Sequence, residues 1–386
     1  MRFLFIIILL LNFCTVNLAA QDTLNRSVKD TLRFSGQLSA WSNYNHSNDL
    51  PLWFGGRYLP QSNYDLIFPD GKLVDFEVSA NMSGSAGFHP FDSGHVGGSV
   101  RPYRAWVRYS TNQFELRAGL QKINFGSAAI LRPLMWFDQV DPRDPLRITN
   151  GVWGILGRYY FLNNANIWLW TLYGNDDAKT WEIGATSQRY PEFGGRFQLP
   201  AARGEAGISF HHRLADTTGI GDSLHDFSGI PEDRIAFDAK WDLGVGLWFE
   251  GAWIHKNKDV GVLTNQLILN AGTDYTFGIG NGLNVVFEQL LIAYDRKPFV
   301  LSDPVFFSAL SLSYPLGIFD NLSAIVYYNW ATNESYNLVN WNRQFNRFQI
   351  YVMGYWNPEV YMLPQQQDAG NLFSGRGIQV MLVYNH

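Results

Sequence analysis

The chain has 386 residues, of which 46% are apolar, 16% aromatic and 16% charged, with a formal net charge of −5 and a mean hydropathy of −0.13. The charge content falls below the roughly 25% of ordinary soluble domains, and after residue 20 no apolar run approaches the ~20 residues of a membrane helix. The acidic balance argues against nucleic acid as a partner, and Cys14, the single cysteine, leaves no disulfide framework and no thiolate metal site.

At the N-terminus, Met1-Arg2 precedes an apolar run from Phe3 to Leu11, and Ala19-Ala20 precede Gln21-Asp22. This order reads as a secretory signal peptide over residues 1–20, followed by a short tail at 21–30 and one β domain at 31–386. Beyond the tail, the segment Val74-Asp75-Phe76-Glu77-Val78-Ser79-Ala80-Asn81-Met82 alternates apolar and polar residues, as does Ile235-Ala236-Phe237-Asp238-Ala239-Lys240-Trp241. Strand side chains alternate between faces, so each such segment has one oily and one wet surface. An exported chain of many such segments predicts a transmembrane antiparallel up-and-down β-barrel, apolar outside and hydrated inside.

About 18 strands are predicted between residues 31 and 385. The second (53–68) and sixteenth (335–341) alternate least cleanly; without both, the count is 16 and parity is kept. Short turns such as Pro69-Asp70-Gly71-Lys72, Ser110-Thr111-Asn112 and Gly280-Asn281-Gly282 alternate with longer Gly/Asp/Asn-rich stretches, among them 43–52, 85–100, 124–151, 175–190 and 357–372. Short turns at one end and long loops at the other are the rhythm of such barrels. Trp41, Trp53, Tyr109, Trp153, Phe161, Trp241, Trp253, Trp330 and Trp356 fall near strand ends, where aromatic girdles are expected.

The densest polar constellation lies between residues 101 and 158. Arg104, Trp106 and Arg108 share one face of the fourth strand. Glu115, Arg117 and Gln121 share the lumen face of the fifth, with Phe114, Leu116 and Leu120 toward lipid, and Arg158 lies on the sixth. Asp75 and Glu77 face inward from the third, so acids and bases form a band on one wall. The longest loop, 124–151, is rich in apolar residues from Ile130 to Phe137, and a long apolar loop needs a surface to pack on. Folding into the barrel would supply one and bring Arg132, Asp138, Asp141, Arg143, Asp144 and Arg147 near the wall arginines, forming a constriction that selects solutes by sign and size. The alternative is an external cap over ordinary lumen ion pairs.

Other patterns carry less. His211 and His212 are adjacent on a strand and point to opposite faces, so they cannot share a metal, and an outer-membrane hydrolase would need a wall Ser paired with a His, for example Ser209 beside His211. Gly278-x-Gly280-x-Gly282 joins two strands with no helix after it and reads as a turn rather than a nucleotide loop. No catalytic group, cofactor or metal is expected.

The stretch from Tyr103 to Phe161 resembles uncharacterised outer-membrane β-barrel proteins of Gram-negative bacteria. Arg117-x-Gly119-x-Gln121-x-x-x-x-Gly126 with its following Asp/Pro-rich loop is similar to porin families related to alginate-export and anion-selective channels. The resemblance implies that Arg117 and Gln121 lie on a pore wall and Asp138–Asp144 in an inward loop. It departs at the C-terminus: such barrels commonly end in Phe or Trp, and this chain ends Val383-Tyr384-Asn385-His386. The expected function is a porin-like outer-membrane channel for small hydrophilic, anionic or saccharide solutes. Its partners would be membrane lipid, those solutes and further copies in a homo-oligomer. An outer-membrane barrel enzyme and a non-conducting structural or assembly barrel are the alternatives.

Overall fold

The computed structural model describes residues 28–89, 94–141, 143–216, 229–359 and 372–386. The expected signal peptide and residues 21–27 of the tail lie outside them. Nineteen strands form one sheet, and one of these, Ala185–Thr186, is only two residues long. The other eighteen are β1 (Lys29–Asn45), β2 (Leu52–Ile67), β3 (Leu73–Phe88), β4 (Gly94–Ser110), β5 (Phe114–Gln121) and β6 (Val152–Tyr160). They continue with β7 (Asn166–Leu172), β8 (Glu192–Ala201), β9 (Gly204–Asp216), β10 (Ile230–Asp242), β11 (Gly246–Lys256) and β12 (Asn265–Phe277). The last are β13 (Leu283–Asp295), β14 (Val305–Pro315), β15 (Asp320–Asn329), β16 (Glu334–Gln344), β17 (Phe348–Trp356) and β18 (Arg376–Asn385).

Each strand pairs antiparallel with its sequence neighbours, and β1 closes the cylinder on β18 from Gln37↔Asn385 to Asn45↔Gly377. Closure leaves no open edge, the condition for a sheet to cross lipid. Outward positions are apolar and open, as at Leu32, Phe34, Val78, Leu169, Ile208 and Phe237. Inward positions are polar or packed. The chain is an all-β, up-and-down transmembrane barrel.

At one end the connections span two to five residues, and at the other they reach thirty. In the turn 69–72, Gly71 has φ 82°, a conformation that glycine adopts without steric cost. Both strands with the poorest alternation are present, so the count is eighteen. The stretch 85–100, expected as a loop, is largely strand: β3 reaches Phe88 and β4 starts at Gly94. Its Gly- and Ser-rich residues give no hydrophobic alternation, yet they pair regularly from Ser83↔Ser99 to Phe88↔Gly94.

Two side chains expected in the girdle face the lumen instead. Trp41 and Trp53 share the inward register of β1 and β2 and lie flat on Gly55 and Gly87, where a Cβ would stand 2.2 and 2.4 Å from the indole rings. Trp41 packs beside Tyr351, Met353, Met381 and Val383. Trp153, Trp330 and Trp356 are open on the outside, as a girdle requires. Leu120, expected toward lipid, is buried.

Candidate functional site

The polar band on β3–β6 is held by direct contacts. Arg108 clamps Asp75 with two bonds, Nε–Oδ1 at 2.9 Å and Nη2–Oδ2 at 2.7 Å. Glu115 collects three guanidinium groups, from Arg117 at 3.1 Å and from Arg108 and Arg158 at 3.5 Å each. Arg117 stands 4.7 Å from the Trp106 ring and Arg158 3.8 Å from Trp168, so aromatic faces support the cations. Glu77 pairs in register with Trp106, beside this cluster. Gln121 is buried and donates to the carbonyls of Arg117 and Gly154.

Arg104 does a different task. It reaches the loop, donating to the carbonyl and hydroxyl of Thr149 at 3.0 and 3.1 Å. The register shift between Ser79 and Ala80 leaves Tyr103 as a bulge in β4. As a bulge reverses the alternation, Arg101, paired with Asn81, and Arg104, paired with Ser79, share the lumen side.

Loop 122–151 folds into the barrel. Ile123, Phe125, Leu134, Trp136 and Phe137 pack with Leu156, Trp170, Leu172, Ala236 and Ala252, while Ile130 and Leu131 pack with Ile254, Ile268, Leu290 and Phe307. The loop therefore rests on the β6–β14 side of the lumen. Two buried carboxylates fasten it there. Glu288 of β13 accepts from the backbone N–H of Ala129 (2.7 Å), Ile130 (3.1 Å) and Leu131 (2.5 Å), and from Trp248 and Asn270. Glu250 of β11 accepts from the N–H of Ala128 (2.7 Å) and Leu134 (3.2 Å). Neither forms a salt bridge among the described residues. A buried carboxylate without a cation is stable only when several N–H groups solvate it, and the loop backbone supplies five of them.

Within the loop, the expected residues divide. Arg132 pairs with Asp138 at 3.1 Å, both buried, and donates to the half-buried Asn124 at 2.6 Å. Asp141 takes Arg143 in a two-bond clamp of 2.9 and 2.6 Å. That clamp lies across the lumen from the wall arginines, with the guanidinium 5.9 Å from the Tyr336 ring of β16. Asp144 meets Arg57 of β2 at 3.7 Å. Burial raises the Asp144 carboxyl above its ordinary range, opposed by the Leu146 N–H and by Arg57. Arg147 is exposed and forms no salt bridge among the described residues.

A second loop, 173–191, also turns inward, which the alternation did not foretell. Trp181 packs in the cluster with Ile130 and Leu131 and donates to the Arg132 carbonyl at 2.7 Å. Glu182 meets Arg213 at 3.3 Å and Arg234 at 2.7 Å. Desolvation alone would raise this carboxyl, but the two guanidinium groups hold it below its usual range. Arg213, Arg234 and Lys256 also converge on Glu232, and Arg196 clamps Asp238 at 2.5 and 2.9 Å. The inward polar positions of β8–β13 were readable from the dyad, but their bonds to two loops were not.

His211 and His212 do point to opposite faces. The His211 ring is engaged by Trp170 at 3.2 Å and Glu192 at 3.1 Å, so neither nitrogen is left to serve as a base for Ser209, whose hydroxyl takes a bond from Arg196.

The opposite side of the lumen is different in kind. Apart from Glu334 at the rim, the lumen-facing positions of β14–β18 carry no charge among the described residues. Ser311, Ser313, Asn321, Ser323, Asn340 and Asn342, with Ile325, Leu338 and Met353 between them, line a half-open cavity of about 340 Å³ there, bordered on its other side by Arg143, Asp144 and Arg147 of the loop.

The chain is similar in structure to OccAB4 of Acinetobacter baumannii, with a TM-score of 0.56 and 8% identity over 94% of this chain and 98% of that one. OccAB2 of the same organism matches with a TM-score of 0.51 and 9% identity, over 92% and 98% of the two chains. The chain has a porin-like barrel fold. With its apolar belt, that fold places it in the outer membrane of a Gram-negative bacterium. The anion-selective porin from Comamonas acidovorans matches over 93% of this chain and 100% of that one, with 11% identity and a TM-score of 0.47. No protein-family model and no curated protein matches the chain.

Proposed function

We propose that the chain is a channel through which small hydrophilic solutes diffuse across the outer membrane. The observation that supports this is the one-sided seating of the inward loop. Fastened to β11 and β13, it packs one side of the lumen and leaves a polar cavity along β14–β17. Barrels of about eight strands fill their own interior, whereas wider ones leave an aqueous path.

In this reading Arg143, Asp144 and Arg147 face the path from the loop, while Arg132, Asp138 and Asp141 hold the loop in shape. The β3–β6 wall sets the charge preference. Arg101, Arg104, Arg108, Arg117 and Arg158 contribute five positive charges against three negative ones from Asp75, Glu77 and Glu115. The balance of two favours anions mildly, because paired charges cancel most of the field. No covalent step is required, and assembly into a homo-oligomer belongs to the same proposal.

Single-channel recording of the detergent-extracted protein in planar bilayers tests it. Discrete conductance steps with a small reversal potential of anionic sign are expected. A heat-modifiable, folded protein that gives no steps would refute the channel and favour a structural barrel.

A further inference from the structure

The barrel wall is lower along one stretch of its long-loop rim. β4 pairs with β3 up to Phe88↔Gly94, but with β5 only from Ala105 to Ser110. The cause is length: β4 has 17 residues, whereas β5, β6 and β7 have 8, 9 and 7. Among the described residues no strand pairs with the β5-side edge of Gly94–Arg104, so the wall has a gap above β5 and β6.

Loop 173–191 borders this gap without closing it. Asn175 brackets the free end of β6, accepting from the Trp153 N–H at 2.8 Å and donating to its carbonyl at 3.1 Å. Between that sill and β4 lies a cavity of about 210 Å³. Asn81 and Arg101 line it from the lumen side, and Trp153, 43% exposed, lines it from the outside. The cavity thus bridges the two faces of the wall. Its remaining charged residues are Asp176, Asp177 and Lys179, so two cations stand against two anions.

Below the gap, the lipid-facing side carries a furrow of about 750 Å³. Leu169, Phe193, Phe197, Ile208 and Phe210 wall it, all open to the outside. Gly195, paired with Leu169 and Phe210, forms its floor, and Trp170, Arg196 and Ser209 behind that floor are buried. Thr171 stands at its upper end. Two residues on, the exposed Tyr173 donates its N–H to the Trp153 carbonyl at 3.1 Å. An apolar furrow therefore leads along the outside to a polar opening. The whole outer belt meets lipid, so the furrow alone would mean little. Joined to the opening, it satisfies a molecule with an apolar tail and a polar head at both ends.

We propose that the gap is a lateral port, through which single-tailed amphiphiles with zwitterionic heads reach the lumen from the outer leaflet. The single furrow takes one tail, and the matched charges of the opening suit a head that carries both signs. The inference needs the barrel and its gap but no aqueous path, so it goes beyond the channel reading.

The test uses a fluorophore on Asn150→Cys, an exposed position that borders the cavity. Cys14, the one native cysteine, lies in the expected signal peptide. In phosphatidylcholine vesicles, lysophosphatidylcholine with a nitroxide on its head should quench this label with a saturating concentration dependence. A label on Ser323→Cys, across the lumen, should be quenched less. Thr171→Trp, which obstructs the furrow from outside, should raise the half-saturating concentration about fourfold, the scale of one displaced CH₂ group. Heat-modifiable migration verifies that each variant folds. Equal quenching at both labels, a linear dependence, unchanged half-saturation in Thr171→Trp, or equal quenching by two-tailed phosphatidylcholine with the same head would overturn the port. Single-channel recording keeps the two readings apart: current without quenching leaves only the channel, and quenching without current leaves only the port.

Discussion

The two sides of the lumen solve the same problem in opposite ways. On β8–β13 the inward positions carry Arg196, Arg213, Glu232, Arg234, Asp238, Glu250 and Lys256, all nearly inaccessible. On β14–β17 the inward Ser311, Ser313, Asn321, Ser323, Asn340, Asn342 and Tyr351, with Ile325, Leu338 and Met353 among them, border open space. On the barrel wall of these two sides, charges are thus placed where the loops cover them, and neutral groups where space remains. Buried charge is costly unless each group finds partners with good geometry, and here the partners are other wall residues and the loop backbone. The charged side therefore works as a fastener, and the neutral side borders the space that the loops leave open.

Three sets of substitutions can break that contrast. The largest effect is expected from Glu250→Ala with Glu288→Ala. It strands five backbone N–H groups of the loop at a cost of about 1–3 kcal/mol each, so the loop should leave its seat and single-channel conductance should at least double, by order of magnitude. A conductance equal to that of the unaltered channel would mean that apolar packing alone seats the loop.

Next comes Arg234→Ala, which leaves Glu232 and Glu182 buried with one cation fewer. Removing one partner of such a network costs about 3–5 kcal/mol, whereas Asn342→Ala on the neutral side should fall within about 1 kcal/mol. The temperature at which the folded band disappears on gels reads both, and equal losses would erase the distinction drawn between the two sides.

The smallest effect concerns ion selectivity. Arg108→Ala with Arg117→Ala turns the wall balance from two positive charges to none, leaving Asp75 and Glu115 short of partners. The reversal potential should move toward cations by a few millivolts, the modest scale of charges in a wide aqueous pore. No movement would show that the path lies wholly on the β14–β17 side, out of reach of this wall.

Much of the architecture was legible because a strand's period of two is a local property. Asp75, Glu77, Arg108, Glu115, Arg117 and Arg158 face inward by the same alternation that turns Val74, Phe76 and Leu116 outward. Local reading failed where the period broke or where faces were assigned by residue type. The Tyr103 bulge shifts parity between Arg101 and Arg104. Trp41 and Trp53 look like girdle residues until their register with Gly55 and Gly87 places them inside.

The composition and the dyad by themselves determined that this chain closes into a membrane-spanning barrel of about eighteen strands, and the apolar run in 124–151 determined that its longest loop seeks cover. Only the tertiary structure decided which wall provides that cover. Glu250 and Glu288 lie more than a hundred residues beyond the backbone groups they hold. Their choice depends on where the closed cylinder brings distant strands together, a matter of long-range geometry that local alternation does not encode.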